Sequence, residues 1–118
     1  MKALKVTTSN EIAAIDLDQP LYKSIASLIG GFEIVRPRGL KRPFVMIVDD
    51  EFLYKDKARN YIGSALYGTQ QHGHPIDGDI VIMREEPGFD GYELVALTES
   101  DIVELTSAFQ EIIKYSKR

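Results

Sequence analysis

The stretch "DIVIMREEPGFDGYELVALTESDIVELTSAFQEIIKYSKR" (79–118) decides the fold class. It opens with "DIVIMRE" (79–85), and "YELVALT" (92–98) has the same β-branched and aromatic character, which suits a pleated, half-buried surface. Between them "PGFDG" reads as a turn. Asp90-Gly91 is a tight-turn dipeptide, so the two runs predict a hairpin. The period then changes. Ile102, Leu105, Phe109, Ile112 and Ile113 recur three and four residues apart, placing one apolar stripe on a helix over 102–113. Thr98 with Asp101, or Ser100 alone, supplies a cap. Glu99 and Asp101 sit near the helix's positive end, and Lys114, Lys117 and Arg118 near its negative end. Such a stripe needs a sheet face to bury it, and burying Phe109 and Ile112 should each stabilise by roughly 1.5–3 kcal/mol. Paired strands followed by a helix argue for α+β with a mixed or mostly antiparallel sheet.

The same punctuation extends upstream. "PFVMIVDD" (43–50) is a continuous apolar run, as in a strand buried on both faces, and "FEIVRP" (32–37) precedes it as another strand. The two prolines of "RPRGLKRP" rule out regular structure between them. "YKDKAR" (54–59) is a charged loop. Asn60 caps a short helix, "YIGSALYG" (61–68), which stops at glycine. Leu21, Ile25, Leu28 and Ile29 mark a helix over 20–29, with Pro20 in its first turn, Asp18 or Gln19 at its cap and Gly30-Gly31 at its end. "KALKV" (2–6) and "EIAAIDL" (11–17) form a hairpin across "TTSN". The predicted order is β-β-α-β-β-α-β-β-α in one domain over 1–118, with the last helix packed on one sheet face.

Composition narrows the chemistry. With no cysteine among 118 residues, disulfides, zinc–thiolate sites, iron–sulfur clusters and thiol nucleophiles are excluded. No apolar run approaches the ~20 residues that span a bilayer, and the polar N-terminus does not read as a signal peptide, so the expected location is cytoplasmic, away from membranes. A net charge of −4 disfavours binding along extended nucleic acid, while a local basic patch can still hold an anion. The sequence has no P-loop, dinucleotide fingerprint or nucleophile elbow, and no cofactor is expected.

Three constellations stand out. His72 and His74, with Asp77 or Asp79, have metal-ligand character, but "HGHPIDGD" is dense in turn residues and reads more simply as a connector. "RPRGLKRP" puts Arg36, Arg38, Lys41 and Arg42 into seven residues of an acidic chain. Arginine grips phosphate or carboxylate through its planar fork, so this loop is the candidate anion contact. The plainer reading pairs its cations with Asp49, Asp50 and Glu51. Those three acids are themselves either a Mg²⁺ site or an acidic turn. Tyr61 and Tyr67 lie six apart on a short helix, so one should be core and the other surface. Either is a candidate aromatic platform for a ligand held by the arginines.

"LIGGFEIVRP", "MIVDDEFLYKDKARNYIGSALYG" and "IDGDIVIM" together resemble a small domain-of-unknown-function family, numbered 3846, found in phages, plasmids and their bacterial hosts. The resemblance covers roughly 28–85 and rests on Gly30, Gly31, Glu33, Asp49, Asp50, Glu51, Asn60, Ala65, Tyr67, Gly68, Ile76, Gly78 and Asp79. Phe52 stands where the family places a glycine. The resemblance implies a phage or mobile-element setting, with an anti-defence role as its concrete form, and brings no catalytic residue.

The expectation is therefore a non-enzymatic accessory protein that binds a host protein or a small, nucleotide-like anion through Arg36, Arg38, Lys41 and Arg42, with Tyr61 or Tyr67 beside them. A metal-dependent hydrolase built on Asp49, Asp50, His72, His74 and Asp79 is the alternative. A structural module acting through an exposed strand edge is a third, and self-association as a homo-oligomer stays open.

Overall fold

The computed structural model describes residues 1–51, 55–68 and 75–116. Six strands form one antiparallel sheet: β1 (Lys2–Val6), β2 (Ile12–Asp16), β3 (Glu33–Val35), β4 (Phe44–Val48), β5 (Ile80–Gly88) and β6 (Gly91–Val95). Among the described residues three helices accompany them: α1 (Leu21–Ile29), α2 (Tyr61–Tyr67) and α3 (Glu99–Ser116). The predicted element order and the α+β class hold.

The strand order is β2-β1-β5-β4-β3, with β6 also on β5. The first half of β5 pairs with β1 through Ile80–Ile82, and its second half pairs with β6 through Arg84–Gly88. Leu97 N–H then donates to Lys2 O, so the chain leaving β6 meets the start of β1. The last hairpin turns later than its sequence suggests. Pro87 and Gly88 stay in the ladder opposite Tyr92 and Gly91, and only Phe89 and Asp90 lie in the turn. Gly91 takes φ +104, the left-handed conformation that closes the turn, so it enters the strand instead of sharing the loop.

Alternation sends side chains to two faces, and both are covered. Leu4, Val6, Phe44, Met46, Val48, Ile80 and Ile82 face α2 and α3, meeting Ile62, Leu66, Leu105 and Phe109. Ala3, Ile47, Val81 and Met83 face α1, meeting Ile25 and Ile29. Every residue of β4 is buried, as its unbroken apolar run predicts. On the α3 stripe Leu105 and Phe109 are buried, whereas Ile102, Ile112 and Ile113 are only partly covered. Ile112 therefore gains less than full burial of its side chain provides.

Two helix ends depart from expectation. Pro20 itself occupies the cap position of α1 and no side chain caps it; neither Asp18 nor Gln19 does so. The Asp18 N–H instead donates to Ser24 Oγ at 3.3 Å. Leu28, assigned to the α1 stripe, is 41% exposed at the helix's last turn. The start of α3 matches the expected capping box: Asp101 N–H donates to Thr98 Oγ1 at 3.0 Å, and Thr98 N–H to Asp101 Oδ2 at 2.9 Å. Arg84, on the sheet face that α3 covers, donates to both Asp101 oxygens at 2.9 Å and lies 5.8 Å from the Phe44 ring centre. That guanidinium ties the helix cap to the sheet.

Candidate functional site

Polar chemistry collects at the two opposite ends of the sheet. At one end β1 and β4 finish and β3 and β5 begin. Asp49, directly after β4, is fully buried. Its Oδ2 accepts from Lys55 Nζ at 2.7 Å and Lys57 Nζ at 2.8 Å, and its Oδ1 accepts the Glu51 N–H at 2.9 Å. Burial alone would raise this carboxyl's pKa. The Lys55, Lys57 and Glu51 hydrogen bonds outweigh burial and hold it at about 2. Lys57 Nζ also donates to Ile29 O at 2.7 Å, and Lys55 Nζ to Gly30 O at 3.0 Å. Two ammonium groups thus meet the carbonyl end of α1, where a helix favours cations. Gly31 is required beside them, because a Cβ there would lie 2.3 Å from Asp49 Oδ1 and 2.4 Å from Asp50 Oδ1.

Asn60 joins this end to α2. It is fully buried. Its Oδ1 accepts the Gly63 N–H at 2.8 Å, which caps the helix as predicted. Its Nδ2 donates to Val6 O and Gly78 O, both at 3.0 Å. Gly78 takes φ +87, and its N–H donates to Ala58 O. Ser64 Oγ bonds both Ile76 N–H and Ile76 O. The Asp79 carboxylate reaches the β1–β2 turn, accepting the Thr8 N–H at 3.1 Å with Lys5 Nζ at 3.7 Å. Gly30, Gly31, Asp49, Asp50, Asn60, Ile76, Gly78 and Asp79 therefore gather in one polar scaffold.

A cleft of about 380 Å³ opens here, lined in part by Thr8, Leu28, Gly30, Lys57, Gly78 and Asp79. Its charged groups are already engaged within the fold: Lys57 by Asp49 and Ile29 O, Asp79 by Thr8 and Lys5. Two lysine ammonium groups on Oδ2 and the Glu51 N–H on Oδ1 thus occupy the oxygens that the metal reading of Asp49 needs. Among the described residues no group of three or more potential ligands is arranged to hold a metal ion. His72 and His74 lie outside the described residues.

The basic loop sits at the opposite end, between β3 and β4. Its cations therefore do not pair with Asp49, Asp50 or Glu51, because the whole sheet lies between them. Arg36 instead forms a two-point ion pair with Glu85, Nε to Oε1 at 2.6 Å and Nη2 to Oε2 at 2.5 Å. The guanidinium holds the Glu85 carboxyl below the usual carboxylate range. The loop is anchored by buried Pro37 and Leu40 and by the Gly39 N–H, which donates to Leu66 O at 3.1 Å. A Cβ at Gly39 would stand 2.5 Å from that same oxygen, so glycine permits the contact.

Arg38, Lys41 and Arg42 are exposed on this anchored loop. Among the described residues the side chains of the three form no hydrogen bond and no ion pair, although the Lys41 carbonyl accepts the Phe44 N–H and Arg42 adds a longer-range attraction to the Glu85 carboxylate. The contact with Leu66 brings the C-terminal end of α2, and so Tyr67, next to the loop. Tyr67 is partly buried against the core, whereas Tyr61 is 41% exposed at the other end of the helix. One tyrosine is thus core and one surface, but they do not form a shared platform. Sequence reasoning missed Lys55, Lys57 and Glu85 as charge partners. The alternation of lysines in "YKDKAR", just after three acids, was the available signal for the first two.

Compared with protein-family models, curated proteins and solved structures, the chain matches none.

Proposed function

We propose that this is a non-enzymatic binding protein that docks an acidic surface of another protein through Arg38, Lys41 and Arg42. One observation carries the reading: three exposed cations whose side chains make no hydrogen bond or ion pair among the described residues sit on a loop fixed by Gly39, Pro37 and Leu40. A pre-positioned loop loses little conformational freedom on binding. Charge complementarity from such a patch speeds encounter and sets specificity. The cations stand on open surface at the far end of the sheet from the cleft, which suits a flat acidic partner. A nucleotide-like anion is the second reading, favoured by Tyr67 beside the loop. A phage or mobile-element setting, with a host protein as partner and an anti-defence role, rests on the family resemblance alone.

Titration with poly-glutamate and, separately, with ADP, followed by amide NMR shifts, tests both. Poly-glutamate should perturb residues 36–43, and the effect should weaken with salt. Replacing Arg38, Lys41 and Arg42 together by alanine should abolish it while stability stays within about 0.5 kcal/mol, as for exposed positions. Arg36 is kept, since its replacement also breaks the Glu85 pair. Unchanged shifts in that variant, or none with either probe, would refute the assignment.

A further inference from the structure

β2 has one partner and one open side. Two contacts fix which backbone groups face which way. Leu17 N–H donates to Met1 O, and Thr7 N–H donates to Glu11 O. The register pairs Lys2 with Asp16, Leu4 with Ala14 and Val6 with Ile12. In an antiparallel ladder, hydrogen-bonded and non-hydrogen-bonded pairs alternate. Glu11, Ala13, Ile15 and Leu17 therefore direct N–H and C=O groups to β1, while Ile12, Ala14 and Asp16 direct theirs outward. No described residue bonds to these six outward groups.

Apart from the exposed carboxylate of Asp16, this edge carries few of the usual protections. Ile12–Asp16 contains no proline or lysine, and its register with β1 is unbroken by a bulge. Ala13 and Ala14 are exposed and small, so the backbone is accessible between them. Two other strands have a single partner: β3 offers only three residues, and β6, which pairs with β5 alone, carries charged Glu93 mid-strand.

We propose that the protein self-associates through this edge, β2 pairing antiparallel with β2 of a second copy about a two-fold axis at Ala14. Every copy of the chain carries this same open edge, so an identical strand is always at hand as a partner. Ile12, Ala14 and Asp16 are symmetric about Ala14, so a second β2 satisfies all six outward groups at once. Ile12 then faces Asp16 of the partner subunit, and Ala14 faces Ala14 of the partner subunit. Glu11 falls opposite Leu17 of the partner subunit, so no acid opposes an acid. Asp16 is already neutralised by Lys2 at 3.0 Å within its own chain. A closed two-fold contact of this kind uses up the β2 edge of both copies.

Ala14→Pro tests the idea directly. Its N–H lies outside the β1–β2 ladder, so proline removes an intermolecular donor without touching the fold; proline is tolerated on edge strands in that orientation. Sedimentation equilibrium of the full chain should show monomer and dimer exchanging with concentration, and the variant should weaken dimerisation at least ~10-fold while keeping the native circular dichroism spectrum. Ala13→Pro, whose N–H points to β1, should unfold the hairpin instead. Amide exchange on the wild-type protein gives a second readout that needs no variant. The Ile12, Ala14 and Asp16 amides should slow as concentration rises, and those of Ala13 and Ile15 should be protected throughout. A protein that stays monomeric to millimolar concentration overturns the proposal. So does a dimer that Ala14→Pro leaves intact, or outward amides that exchange at a rate independent of concentration.

Discussion

Replacing Asp49 by asparagine removes the charge on which one end of the sheet is built. The folded carboxyl titrates at about 2 against an ordinary value of 3.8. That difference corresponds to about 2 kcal/mol of stability at neutral pH. Loss of the charge also leaves the Lys55 and Lys57 ammonium groups sharing at best one neutral amide oxygen besides their backbone carbonyls, while the new amide nitrogen meets either them or the Glu51 N–H. Both lysines are part-exposed, so solvent limits that added penalty. The expected total is about 2–3 kcal/mol, or roughly 10 °C in Tm for a chain of this length. Urea melts of the two proteins at pH 7 measure it. The pH dependence is specific as well. Because the folded pKa lies below the unfolded one, the carboxylate's contribution is complete above about pH 4 and vanishes as pH falls through about 2. The gap between wild type and Asp49→Asn should therefore be constant from pH 7 to about 5 and close on acidification. A variant within about 0.5 kcal/mol of wild type at pH 7 would refute the reasoning, and so would a gap that persists unchanged at pH 2.

Phe109→Ala should destabilise by about 3–5 kcal/mol, since the ring is fully buried against both helix and sheet, whereas Val103→Ala on the open face of α3 should stay within about 0.5 kcal/mol in the same melts. Asn60→Asp keeps the acceptor for Gly63 but removes the donor to Val6 O and Gly78 O. It should lose at least as much as Asn60→Ser, roughly 2 kcal/mol or more, which urea unfolding reads. Gly39→Ala pushes a methyl group towards Leu66 O and should displace the basic loop. Amide shifts confined to 36–43 and the C-terminal end of α2, with about 1–3 kcal/mol lost, are the expected signature.

The fold was largely legible because each element carried its own stop signal. Gly30 and Gly68 both adopt the left-handed conformation that ends α1 and α2, Asn60 caps where its position suggests, and the Thr98–Asp101 box opens α3. The late hairpin was misplaced by two residues because Asp90-Gly91 fits two turn geometries, and only cross-strand register chooses between them. The covering of both sheet faces was implied by β4 alone. Which helix lay on which face was not, since periodicity says nothing about handedness of approach. The site was legible in composition and not in pairing. Arg36 and Glu85 are 49 residues apart, and neighbours in space at that separation follow from strand order, which no local pattern contains. The same gap misled the expected pairing of the basic loop with Asp49–Glu51, because the chain crosses the full length of the sheet between them.

The position of β5 has a consequence for how the chain is made. Two hairpins, β1–β2 and β3–β4, are synthesised first, yet neither pairs with the other; β5 slots between them and bonds to both. A nascent chain ending before Ile80 therefore holds only two-stranded ribbons, which are at best marginally stable alone. The sheet becomes cooperative when one late strand emerges from the ribosome, and the earlier apolar strand β4 must wait, with one edge unpaired, until it does.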